Sequence, residues 1–173
     1  MKIFGISGHS GSGKTTLIEA MLPILKAAGV HTSVIKHTHH DFELEPPHKD
    51  SARFRRAGAQ EVMTCSAWRY AIVRELAGEA MPDLNSQIDR LAPCDLVLVE
   101  GFHADPIARL EVFRPALERS PRCLDDPNLV AMASDESFES TVPIWSLNDP
   151  QQIVHNICAH LGLPMNSGGR DHG

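Results

Sequence analysis

The run GHSGSGKTT, residues 8–16, stands between a short apolar stretch, KIFGIS, and an amphipathic one, KTTLIEAMLPILKAAG. From Gly8 through Gly13, Lys14 and Thr15 the spacing is G-x-x-x-x-G-K-[ST]. Glycines let successive backbone N–H groups curl round phosphate oxygens, the lysine meets the β- and γ-phosphates, and the hydroxyl ligates Mg²⁺. That chemistry requires a strand running into the loop and a helix opening out of it. Both flanks comply: Leu17, Met21, Leu22, Ile24 and Leu25 form an apolar stripe at helical spacing, with Pro23 a point of bending and Gly29 the stop. This context turns a common pattern into a phosphate loop.

The rest of the chain alternates in the same way. VHTSVIKH reads as a second strand, followed by the polar, aperiodic THHDFELEPPHKD, a loop of functional length. SARFRRAGA is a short basic helix closed by Gly58, which Asp50 and Ser51 are placed to cap. EVMTCSAWRYAIVREL reads as two strands joined by a turn near Ser66–Ala67, an antiparallel pair. MPDLNSQIDRLAP is a helix capped by Asp83, and CDLVLVEGF a fully buried strand. ARLEVFRP, NLVAMASD and TVPIWSLND are further strands, before the helix DPQQIVHNICAHLG. The fold class is therefore α/β: a doubly wound, mostly parallel sheet of P-loop type with a short antiparallel strand pair. Residues 1–163 form a single nucleotide-binding domain on this reading, and 164–173 a polar, disordered tail.

Composition narrows the function. A chain of 173 residues is long enough to bury a core without staples. Its 16 Lys and Arg against 22 Asp and Glu argue against a nucleic-acid binder. Cys65, Cys94, Cys123 and Cys158 form no C-x-x-C pair and read as free, buried thiols. With no leader-like start and no long apolar span, the expectation is a cytoplasmic protein with no membrane contact.

Ligands of such a sheet gather at the carboxyl ends of its strands. Two acids in DLVLVEG compete for the metal, and at about 3.3 Å per residue they lie roughly 16 Å apart along the strand. Glu100, at the carboxyl end, is the metal-site and catalytic candidate beside Lys14; Asp95 is left to capping or pairing. Asp41, beyond the second strand, is a further candidate, with Thr15. His37, His39 and His40 read either as exposed loop residues or as part of a transition-metal site with His48 or His103. Arg53, Arg55 and Arg56 form the one concentrated basic patch, either a solvated helix face or, with Lys36 and Lys49, the site of a second anionic ligand or partner group. No Asn-Lys-x-Asp reads guanine here. Asp135, after LVAMAS, and Asp149, after WSLN, are the available acceptors; Asp149 precedes Pro150 and a helix, which favours a cap.

Together GHSGSGKTT, IKHTHHDFE, KDSARFRRAGA and DLVLVEGF resemble the molybdopterin-guanine dinucleotide biosynthesis adaptor proteins, the MobB family of P-loop NTPases, over roughly residues 2–161. The phosphate loop alone is widespread; the three further runs make the match specific. The resemblance implies a GTP-binding homodimer with weak Mg²⁺-dependent GTPase activity, acting beside the guanylyltransferase MobA, with molybdopterin as a potential second ligand. It implies that Gly11, Ser12, Gly13, Lys14, Thr15 and Thr16 hold the phosphates, and that Asp41 and Glu100 sit around Mg²⁺; His9, at a variable position, and Ser10 are nucleotide-binding candidates of the same loop. His37, His39, Asp50, Ser51 and Arg53 match the family's second motif. His48 departs from the pattern, standing where a glycine precedes the lysine, so a left-handed turn there would be strained. Competing readings are a small-molecule kinase using the arginine patch, a metal-delivery GTPase using the histidine loop, and a non-catalytic phosphate grip. No glutamine or arginine finger is evident, so any turnover is slow.

Overall fold

The computed structural model describes residues 1–38 and 40–165. The chain packs as two units, one of Met1–His37 with the chain from Gln87 onward, the other of Thr38–Ser86.

In the first unit six strands form one parallel sheet in the order β2-β5-β1-β6-β7-β8. They are β1 (Lys2–Ser7), β2 (Thr32–Lys36), β5 (Leu96–Glu100), β6 (Arg109–Phe113), β7 (Leu129–Ser134) and β8 (Ile144–Ser146). β1 lies centrally, paired with β5 on one side and β6 on the other. Period-two alternation sends Phe4, Ile6, Leu96, Leu98, Leu110 and Val112 to one face. There they meet Leu17, Met21 and Leu25 of α1 (Lys14–Ala27) and Ile153, Val154 and Ile157 of α4 (Pro150–Leu161). Ile18 joins this face as well, and Leu22 and Ile24 are only half-buried against it. α1 continues through Pro23 and closes with the Gly29 and Val30 amides bonded back to Lys26 and Leu25. Asp149 caps α4, its Oδ1 accepting the Gln152 amide at 2.9 Å.

The opposite face is covered without a long helix. Arg109 and Glu111, which alternate with Leu110 and Val112 along β6, are both buried. The Arg109 guanidinium pairs with Asp126 at 3.0 Å and donates to the carbonyl oxygens of His103, Asp105 and Ile107. Glu111 accepts the amides of Arg122 and Cys123 at 2.6 and 2.9 Å. Two buried charges thus organise the irregular segments that close this face, each supplied with the partners that burial demands.

The second unit holds α2 (Asp50–Arg56) and the antiparallel pair β3 (Glu61–Cys65) and β4 (Tyr70–Arg74). The turn joining the strands is held by Ser66, which bonds Arg69. α3 (Leu84–Ile88), capped by Asp83 through the Ser86 amide, is shorter than its sequence suggests. Asp50 and Ser51 do not cap α2. The helix begins at Asp50 with Lys49 as its uncapped N-terminus, Asp50 pairs with Arg53 at 3.3 Å, and Ser51 donates its hydroxyl to Glu45. His48 lies in the turn closed by Lys49 on Pro46 and is not among the left-handed non-glycine residues, so the chain turns there without strain. Cys123 and Cys158 are buried as expected, whereas Cys65 is exposed on β3 and Cys94 half-buried. Most of the polar tail lies outside the described residues.

Candidate phosphate-binding site

The loop from Gly8 to Gly13 joins β1 to α1 at the carboxyl edge of the sheet. Gly8 has φ +133°, and a Cβ there would stand 2.3 Å from the Val112 carbonyl oxygen of the neighbouring strand. Only glycine lets the loop leave β1 this close to β6. Lys14 turns back over the loop, its Nζ donating to the carbonyls of Gly8 at 3.0 Å and His9 at 2.8 Å. Burial lowers the Lys14 pKa; the Glu100 carboxylate offsets part of this, while Arg122 and Lys36 add to the lowering. The His9 ring bonds the Ser120 carbonyl at 2.9 Å, so His9 steadies the loop from outside. Ser10, Gly11, Thr15 and Thr16 face solvent. Ser12 is 1% exposed, and its Oγ is buried with no hydrogen-bond partner. A buried hydroxyl without a partner in this glycine-rich turn, and a lysine ammonium folded over the same turn, are what phosphate oxygens would satisfy.

Glu100 ends β5 in register with Lys36 of β2, and the two pair at 3.7 Å. Its side chain is 12% exposed, and it contributes to the field at Lys14. The Thr15 hydroxyl and Glu100 carboxylate are hard oxygen donors of the kind Mg²⁺ takes. Asp95 lies at the other end of β5 and accepts both the amide and the ring nitrogen of His31, the pairing role expected of it. Just past Glu100, a Cβ on Gly101 (φ +103°) would come 2.7 Å from His37 Cβ. Phe102 follows with φ +51°, buried, its ring 4.9 Å from that of His37. His37 thereby packs on the VEGF segment, locking the ends of β2 and β5 together. A left-handed phenylalanine is costly and is held here by this packing.

In the second unit Asp41 is exposed and its Oδ1 accepts the Phe42 amide. Arg55 is engaged by Glu75 at 2.8 Å and Glu43 at 3.0 Å, an internal tie of the unit. Arg56 donates to the Pro47 carbonyl. Arg53 and Arg56, with Asp50, Phe54 and Ala57, line a shallow hollow of about 620 Å³, and Lys49 is exposed beside them in sequence. His39 lies outside the described residues. Among the described residues no three His, Cys, Asp or Glu side chains converge as a metal cluster, and no helix is long and apolar enough to cross a membrane.

One basic residue beside the loop escapes a reading of the sequence. Arg114, just beyond β6, donates from Nε to the Ser12 carbonyl at 3.0 Å and from Nη1 to the Asp135 carboxylate. The sheet rule offered the signal: Arg114 stands at the carboxyl end of the strand next to β1.

The sheet order, the β1–loop–α1 junction and an acid at the end of β5 define an α/β protein of the P-loop class. A model of the MobB family, described as molybdopterin guanine dinucleotide synthesis protein B, matches residues 3–135. The chain is 37% identical over 155 residues to the molybdopterin-guanine dinucleotide biosynthesis adapter protein of Escherichia coli (strain K12), spanning 88% of this chain and 89% of that protein. It is 38% identical over 153 residues to the protein of the same name from Haemophilus influenzae, spanning 88% and 85%. A crystal structure of molybdopterin-guanine biosynthesis protein B (MobB) superposes with a TM-score of 0.72 at 27% identity, over 92% of this chain and 99% of that one. The chain belongs to the MobB family.

Proposed function

We propose that this chain is a GTP-binding adapter of molybdopterin guanine dinucleotide biosynthesis, working beside a MobA-like guanylyltransferase and hydrolysing GTP slowly with Mg²⁺. The observation that carries the nucleotide reading is the loop itself: Gly8 admits no side chain, Lys14 is folded over the loop carbonyls, and Ser12 Oγ is buried without a partner. Names of the relatives support the biosynthetic role.

Within this reading the residues from His9 to Thr16 hold the phosphates, Lys14 meets the terminal ones, and Thr15 and Glu100 hold Mg²⁺. Asp41 is assigned to the metal by family resemblance alone. Held there, Mg²⁺ would supply charge neutralisation at the phosphates. Lys14 adds a second positive charge, and Asp135 accepts from the guanine edge. The shallow hollow carrying Arg53 and Arg56 supports a second anionic ligand, for which molybdopterin is the proposed occupant. A cytoplasmic homodimer completes the proposal.

Calorimetric titration of GTP, ATP and molybdopterin with Mg²⁺, with Lys14→Ala as control, tests it. GTP should outcompete ATP and lose its binding in the variant, while molybdopterin binding survives. ATP binding as well as GTP, with no molybdopterin bound, would refute the adapter reading.

A further inference from the structure

Three neighbouring parallel strands, β1, β6 and β7, end side by side, and each delivers one polar element to the same edge. β1 delivers the phosphate loop, β6 delivers Arg114, and β7 delivers Asp135. Arg114 joins the other two. Its Nε donates to the Ser12 carbonyl inside the loop, its Nη1 to Asp135 Oδ2, and its Nη2 lies 3.5 Å from where a Cβ on Gly13 would stand. Asp135 Oδ1 is buried and has no hydrogen-bond partner. A buried carboxylate oxygen left unpaired is costly unless a ligand donor meets it.

We infer that Arg114 is a positioning residue that couples base selection to the phosphate grip. This rests on the guanine-nucleotide reading above and assigns its specificity. The guanidinium occupies Asp135 Oδ2 and leaves Oδ1 without a partner, and a carboxylate oxygen offers lone pairs only. Guanine presents N1–H and a 2-amino group, both donors. Adenine presents a bare N1 whose lone pair opposes the carboxylate. Arg114 also fixes the Ser12 carbonyl, so the loop and the base acceptor are set by one planar fork. Lysine has a single charged tip and cannot hold both partners in that geometry.

The test titrates GTP, XTP, ATP and inorganic tripolyphosphate, with Mg²⁺, into the native chain and into Arg114→Gln, Arg114→Lys and Asp135→Asn, with circular dichroism to verify folding. Asp135→Asn should switch the preference from GTP to XTP, because an amide donor replaces the unpartnered oxygen, and should lower tripolyphosphate affinity less than Arg114→Gln does. Arg114→Gln should lose roughly tenfold in affinity for both GTP and tripolyphosphate, the share of one charge-assisted bond, and its GTP-over-ATP preference should shrink. Arg114→Lys should fall between. A folded Arg114→Gln that keeps the native GTP-over-ATP ratio overturns the coupling alone; an Asp135→Asn that still prefers GTP overturns Asp135 as the base acceptor and the coupling with it. A native chain that binds GTP and ATP alike overturns the guanine reading, and this inference with it.

Discussion

At the scale of single residues, Gly8 and Lys14 do different work in one loop. Gly8 is set by space: its φ and the Val112 carbonyl leave no room for a methyl group. Gly8→Ala should therefore cost about 3 kcal/mol of stability, combining left-handed strain with backbone displacement, and urea denaturation will show it as a lower midpoint with an unchanged slope. Lys14 is set by charge. Burial holds its folded pKa below that of an unfolded lysine. The charged form thus costs stability at pH values below the folded pKa, and that cost is relieved as pH rises through the folded value toward the unfolded one. Phosphate favours the charged form and pulls the pKa back up. Nucleotide binding at alkaline pH should consequently take up a proton, read by calorimetry in buffers of different ionisation enthalpy. Lys14→Arg, whose guanidinium stays charged throughout this range, should bind without that uptake.

At the scale of elements, helix starts separate two aspartates that the sequence presents alike. Asp149 accepts the Gln152 amide and caps α4, whereas Asp50 is already inside α2 and faces Arg53. Asp149→Ala should destabilise the first unit by about 1 kcal/mol, and Asp50→Ala should cost a few tenths at most, about what an exposed pair contributes. Thermal denaturation of the two variants side by side measures the contrast. Proline explains the difference: Pro150 favours the first helical position and leaves Asp149 just outside it, while KDSAR has no such punctuation. The same locality made the β3–β4 hairpin readable, since its turn and its alternation lie within one short stretch.

At the scale of the whole molecule, apolar exposure is uneven. Phe42, Leu44, Phe54, Met63, Trp68, Tyr70, Ile72 and Met81, all in the Thr38–Ser86 unit, are exposed large apolar residues. Met63 pairs with Ile72 and Cys65 with Tyr70, so these four share one face of the hairpin. Exposed apolar faces of this kind mark interaction sites, and in the proposed homodimer a second copy of the chain would cover this one. Met63→Lys with Ile72→Asp should convert the dimer to monomer in sedimentation equilibrium without lowering the thermal midpoint at high dilution. A native chain that sediments as a monomer would remove the homodimer from the proposal.

What the sequence by itself determined follows from short-range physics. The phosphate loop, α1, the buried β5 with Glu100 at its end, the hairpin and the Asp149 cap are each written in a single contiguous run, where spacing and periodicity suffice. The tertiary structure alone decided what distant residues do to one another. Arg109 and Glu111, charged residues within a strand, are both buried because the segments around His103 and Arg122 fold over them. Asp135 reads as one acid of two, until Arg114 reaches it and the loop together. Hydrogen bonds and ion pairs act over a few ångströms in space at any separation along the chain, and only the packed sheet brings Ser12, Arg114 and Asp135 within that range.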